Sequence, residues 1–205
     1  MNTLGSISLT VAFVVAIYAA IAGFVGGRRS IPELVESARN GVIVYAALTT
    51  IAFLTIIYAF VTRDFSLQLV ANHSSRDLSL LLTLTAVWSG QAGSLLFWTW
   101  ILSLYGLTAI LRNWTSNRDL MPYAVGVLMA LQIFFAFMLN FVTSPFRAME
   151  VIPLDGAGLN PLLTHPLMSA HPPMLYLGYI GFTIPFIFAM AALLSGRVSD
   201  SWIRA

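Results

Sequence analysis

Five long apolar stretches recur along the chain, at about 6–26, 42–62, 94–112, 121–142 and 174–195, each bounded by polar or helix-breaking residues. Each is close to the ~20 residues a helix needs to cross the hydrocarbon core of a bilayer. Arg28-Arg29 closes the first, Arg63-Asp64 the second and Arg112 the third. Asp119 and Pro122 open the fourth, and a proline is tolerated in a first helical turn. Pro172-Pro173 precede the fifth, and Gly196-Arg197 end it. The pattern predicts an all-α fold: a polytopic membrane helical bundle of about five transmembrane helices, one membrane domain over 1–205. Residues 1–27 carry no Arg or Lys, so the first stretch reads as an uncleaved helix rather than a signal peptide. Residues 31–40 read as a separate short interfacial helix, with Pro32 near its start and Glu33 in its first turn.

Composition sharpens this picture. The chain is 59% hydrophobic and 9% charged, against about 25% charged in soluble domains, so lipid is most of its solvent. There are no cysteines, which excludes disulfides, thiolate metal sites and cysteine nucleophiles. The net charge of +2 comes from arginine alone and suits loop anchoring, not nucleic-acid binding. Arg28, Arg29, Arg39, Arg112, Arg118, Arg197 and Arg204 fall on one side if the spans alternate, and Arg63, Arg76 and Arg147 on the other. The richer side is expected to be cytoplasmic. That puts the N-terminus outside, the C-terminus in the cytoplasm, and the long loops 63–93 and 143–173 on the outer face. His73, His165 and His171 all lie in those outer loops.

Two segments carry candidate chemistry. In Leu78–Trp100, a short apolar run gives way to Ser89-Gly90-Gln91-Ala92-Gly93-Ser94 and then to a new span. This reads as an interfacial helix, a glycine turn and a helix that Ser94 caps. Trp88, Trp98 and Trp100 fit an aromatic belt at the membrane surface. Equally, Trp88 and Trp98 offer rings to stack on a flat, partly apolar ligand. In Ser144–Tyr179, the prolines and glycines predict a non-helical stretch that water or protein must cover. Pro172 biases His171 towards an extended backbone. Pro172-Pro173 then present its imidazole at a fixed place, and imidazole is a common iron ligand. Tyr176 and Tyr179 are either interface anchors or ligand contacts. His165 and His73 are weaker candidates, and His73 reads as part of a polar surface loop. No charge lies deep in a span, which argues against an ion pathway.

Several stretches together carry a family resemblance. They are Phe60–Ser75 (FVTRDFSLQLVANHSS), Ala86–Trp98 (AVWSGQAGSLLFW), Ser144–Phe146 (SPF), Asp155–Leu163 (DGAGLNPLL), His171–Phe182 (HPPMLYLGYIGF) and the tail Ala192–Arg197. The chain resembles the N-terminal part of the CcmF haem lyases of cytochrome c-type biogenesis, with the related NrfE and CcsA proteins. The resemblance implies binding of a b-type haem, as substrate, at the outer face of the cell inner membrane, for covalent attachment to apocytochrome c. It implies that His171 is an axial ligand of the iron, with Trp88, Trp98 and Tyr176 around the haem. It also implies three partners: the remaining portion of the lyase, a CcmE-like haem chaperone, and apocytochrome c with its CcmH-like holder. Two departures stand out. Many relatives have His-Glu where this chain has Gln91-Ala92. The tryptophan-rich WWD signature and further histidines of the family lie downstream of these residues. This stretch alone is therefore expected to lack lyase activity, whether it is a fragment, a split-gene subunit or a paralogue. From the residues alone, two rivals remain: a transporter subunit for haem or another amphipath, and a structural membrane subunit in which His171 caps or anchors.

Overall fold

The computed structural model describes residues 2–196. Arg197, Arg204 and the Ser201–Ala205 tail lie outside the described residues. The order is α1 (Asn2–Arg29), α2 (Pro32–Val61), α3 (Gln68–His73), α4 (Leu80–Ala86), α5 (Gln91–Asn113), α6 (Met121–Phe137), a π-helical turn (Met138–Val142), a 3-10 turn (Pro161–Thr164), α7 (Pro166–Gly181) and α8 (Thr183–Ser195). Among the described residues, five helical segments are long and apolar enough to cross a membrane: α1, α2, α5, α6 with its π turn, and α7 joined to α8. The protein is thus an all-α, multi-pass membrane bundle, with one isolated bridge, Leu67 to Ala148, between loops.

Lipid gives no hydrophobic drive for helices to meet, so close packing must hold them together. α1 separates its faces accordingly. Leu4, Ile7, Val11, Val14, Tyr18 and Ile21 point outward, while Ala12, Ala16, Ala19, Gly23 and Gly26 are buried. The small residues let α2 and α6 approach closely. A Cβ on Gly41 would sit 2.7 Å from that of Ala19, and one on Gly23 would sit 2.7 Å from the Pro122 carbonyl oxygen.

Two boundaries differ from expectation. Residues 31–40 are not a separate interfacial helix; they are the first turns of α2, which runs unbroken to Val61. Gly41 does not interrupt it because the helix crosses α1 there. The fifth span starts eight residues before Met174, at Pro166, and is jointed at Phe182. Pro185, in the first turn of α8, has no N–H for the Gly181 carbonyl, which accounts for the joint.

The two ends of the bundle differ. At one end a cleft of about 420 Å³ is bordered by Gly26, Pro32, Trp114, Arg118, Pro122 and Ser195. Arg39 lies over Trp114 there, 5.0 Å from the ring centroid. The helix ends bearing Arg28, Arg29 and Arg112 close the same end. At the other end the two long loops are stitched into one cap. Gln68 N–H donates to the Arg147 carbonyl at 2.8 Å, and Met149 N–H to that of Ser66 at 2.8 Å. Asp155 accepts from the Arg76 and Gly156 backbone N–H groups at 2.9 and 2.7 Å. Ala157 and Gly158 N–H groups donate to the Ala71 and Ser74 carbonyls. A Cβ on Gly156 would fall 2.0 Å from the Ser74 carbonyl oxygen, so the Asp-Gly turn fits because it lacks one. Arg63, at φ 57°, caps α2 through Phe60 and holds the Leu78 carbonyl at 2.7 Å.

Candidate functional site

The glycine turn before α5 is a packing device at the capped end. Gly90, not Ser94, is the N-cap of α5. Ser94 lies in the first turn, and its hydroxyl donates back to the Trp88 carbonyl at 2.6 Å. A Cβ on Gly93 would fall 1.8 Å from the Val87 carbonyl oxygen, and one on Gly90 would fall 2.7 Å from the His73 ring. His73 is therefore not in a solvated loop. It ends the short helix α3, half-buried against that turn, with Nδ1 3.0 Å from the Leu69 carbonyl. Beside it runs a groove of about 170 Å³ lined by Gln68, Asn72, His73, Gln91, Ser144 and Arg147. Gln91, one of the two departures from the family pattern, lies on this groove.

The indoles join a continuous aromatic cluster. Trp88 stacks on Phe97 at 5.6 Å, Phe97 on Phe53 at 5.4 Å, and Phe53 on Trp100 at 4.3 Å. Trp98 stacks on Phe135 at 6.1 Å and meets Tyr176 at 5.5 Å, while Tyr176 stands edge-on to Phe97. Trp100 donates its Nε1–H to the Thr50 hydroxyl at 3.0 Å. Trp88 donates its Nε1–H to the Ser169 carbonyl of α7 at 3.3 Å.

His171 is placed differently from expectation. Its backbone is helical, within α7, and both Pro172 and Pro173 are inside that helix. The bias that a proline puts on its predecessor acts instead at His165, which is extended (φ −73°, ψ 130°) and caps α7. His165 Nδ1 accepts from the Leu167 N–H at 3.3 Å. With about 100° per residue, Ser169, Pro173, Tyr176 and Ile180 form the inward face of α7. Ser169 and Ile180 are buried there, and Tyr176 is half-buried. His171, about 200° round from Ser169, lies on the opposite face, exposed and without a hydrogen-bond partner among the described residues. Trp88, Trp98 and Tyr176 thus share one cluster under α7, while His171 stands on its outward side. The indoles do not line a pocket with the imidazole.

The outward face has its own character. Leu167, Met174 and Leu175, one turn from His171, are exposed, as is Phe182 further along. Gly178, two turns below His171, has nothing within 4 Å of the place its Cβ would occupy. The fifth span is also the least covered by protein, 28% against 44–50% for the others. An imidazole therefore stands at the top of a flat, open apolar strip.

Among the described residues no three His, Asp or Glu side chains converge, so the histidines do not build a metal site together. A single imidazole suffices for an iron whose four equatorial positions a porphyrin already fills.

Sequence inspection passed over a buried polar cluster in mid-bundle. Tyr45 donates to Gln132 at 3.0 Å, Gln132 to the Thr99 carbonyl at 3.4 Å, and the Thr49 and Ser103 hydroxyls pair at 3.0 Å. Gln132, one of two amides with Asn140 in an otherwise apolar span, was its visible sign. Every one of these residues is buried and partnered, which makes the cluster a clamp between α2, α5 and α6 rather than a lined path.

Residues 88–202 match the model of a family described as cytochrome C assembly protein. The chain is 36% identical over 200 residues to the cytochrome c-type biogenesis protein ccl1 of Rhodobacter capsulatus, covering 98% of this chain and 31% of that protein. It is 32% identical over 202 residues to the CcmF protein of Haemophilus influenzae and 31% to the NrfE protein of that organism, again covering 98% of this chain. Among solved structures it is similar to cytochrome c heme lyase CcmF, with TM-score 0.81 and 25% identity, over 98% of this chain and 32% of that one. The chain spans about a third of the length of the relatives it matches.

Proposed function

Because this chain belongs to the cytochrome c assembly protein family, we propose that it forms the N-terminal part of a cytochrome c haem lyase, in which His171 supplies one axial imidazole to the haem being delivered. The haem is b-type and is the substrate, and it is held at the outer face of the cell inner membrane. The arginine-poor cap then faces outward, and the Arg28, Arg29, Arg112 and Arg118 end is cytoplasmic. Apocytochrome c with its CcmH-like holder, a CcmE-like haem chaperone and the remainder of the lyase act with this part.

One observation carries the reading: an exposed, unpartnered imidazole on an open apolar strip, two turns above a glycine that leaves the surface flat. Porphyrin is flat, largely apolar, and needs an axial donor. This chain's task is to bind and orient, since the macrocycle carries the reacting vinyl groups. Trp88, Trp98 and Tyr176 act on the haem from beneath, by holding the helix that bears its ligand. The rival in which His171 caps a helix is disfavoured, because His165 does that work. The jointed fifth span is the one feature that favours a transporter subunit. Against it, the mid-depth polar groups are sealed and mutually satisfied.

The test is a reduced-minus-oxidised absorption spectrum of the protein purified with its co-expressed partners, with His171 intact and as His171→Ala. Loss of the haem bands in the variant is expected. An unchanged spectrum would refute the ligand role.

A further inference from the structure

We infer that Trp88 is a positioning residue for His171, through an indole N–H that replaces the backbone donor Pro173 withholds. The inference rests on the haem-ligand reading above. In an α-helix the carbonyl of residue 169 accepts from the N–H of residue 173, and in a tighter turn from that of 172. Both are prolines here and have no N–H. Ser169 is buried, so water does not readily take their place. Trp88 Nε1–H fills the vacancy from another element, at 3.3 Å.

The rest of the turn is built to aim that indole. The Ser94 hydroxyl holds the Trp88 carbonyl at 2.6 Å, and the Ser89 hydroxyl holds that of Ala86 at 2.7 Å. Gly93 packs without a side chain against the Val87 carbonyl. The ring itself lies on Phe97. On the α7 side, Ser169 is a junction. Its hydroxyl donates to the Leu163 carbonyl at 2.7 Å, and its N–H to that of His165 at 3.0 Å. A helix pinned at Ser169 has its rotation about its own axis fixed. That rotation turns His171, two residues on, to the outward strip. The paired prolines thus make α7 depend on the glycine turn for one hydrogen bond, and so couple the turn to the imidazole.

Trp88→Phe keeps a ring on Phe97 and removes the donor together with some of the indole's bulk, a loss of packing that Pro173→Ala cannot repair. Pro173→Ala gives Ser169 a donor of its own. In the assembled complex, Trp88→Phe is expected to release haem about tenfold faster, the equivalent of one ~1.4 kcal/mol hydrogen bond. Pro173→Ala is expected to restore the rate in the double variant. The chain has no native cysteine, so a His171→Cys background reports the orientation of α7 without haem. Its labelling rate by a soluble maleimide should change with Trp88→Phe and return with Pro173→Ala. Parental haem release in Trp88→Phe, where His171→Ala loses haem, would overturn the inference and leave the ligand reading intact. So would a double variant no better than Trp88→Phe. If His171→Ala keeps its haem, the ligand reading fails. The labelling rates then decide alone: a shift reversed by Pro173→Ala upholds the latch, and unchanged rates overturn it.

Discussion

Two glycines within helices, Gly93 and Gly178, should respond to alanine in opposite ways. In each helix alanine is intrinsically favoured over glycine by about 1 kcal/mol. At Gly93 the new Cβ would lie 1.8 Å from the Val87 carbonyl oxygen, where real contacts do not fall below 3.0 Å. More than an ångström must open between two backbone segments. Overpacking costs about 1–3 kcal/mol, and a rigid carbonyl puts this site at the upper end. The net destabilisation is then ~2 kcal/mol, a fall of roughly 4–8 °C in Tm for a chain of this size. At Gly178 nothing lies within 4 Å, so Gly178→Ala should raise Tm by about 2–4 °C. The bulkier Gly178→Phe should leave the fold intact yet lower haem content, because its ring stands on the strip below His171. Thermal unfolding in detergent, followed by tryptophan fluorescence, measures the first pair, and haem absorbance of the assembled complex measures the third. Parental stability in Gly93→Ala would refute the packing argument. Full haem content in Gly178→Phe would refute the strip as a landing surface.

The mid-bundle clamp and the orientation can be tested in the same way. Gln132→Leu leaves the buried Tyr45 hydroxyl without its acceptor and should cost about 1–3 kcal/mol. Adding Tyr45→Phe should recover part of that loss, and a strictly additive double variant would show that the two side chains are not coupled. Single cysteines at the exposed positions Ala170 and Ser116 report sidedness. A membrane-impermeant maleimide should label Ala170→Cys in intact cells and Ser116→Cys only after permeabilisation; the reverse pattern would invert the assignment.

The five spans were legible because a lipid-facing helix needs little more than length and apolarity, and the arginines mark the ends. The non-helical run that begins at Ser144 was legible as far as the start of α7, where its prolines and glycines exclude a long helix and Asp155 and Asn160 satisfy nearby N–H groups themselves. The local rules failed where a distant group met a local need. Pro172 and Pro173 argue against a helix, yet α7 passes through them, because one of its vacant carbonyls finds a donor eighty-one residues away in sequence. Ser94 has the right chemistry for a cap but serves the Trp88 carbonyl instead. Residues 31–40 read as a separate helix, but α2 continues through Gly41, because a close crossing with α1 needs a glycine within a continuous helix. His171 and the indoles were expected in one pocket. The helical backbone at His171 puts them on opposite faces of α7, a consequence of φ and ψ that residue types do not disclose.

Chemical rescue tests the ligand role of His171 most directly. In the assembled complex, His171→Gly removes the imidazole from an already exposed position and leaves a gap that free imidazole can enter. The account predicts weak, altered haem bands in this variant and return of the parental spectrum with millimolar imidazole in the buffer. Parental bands in His171→Gly without added imidazole would contradict it.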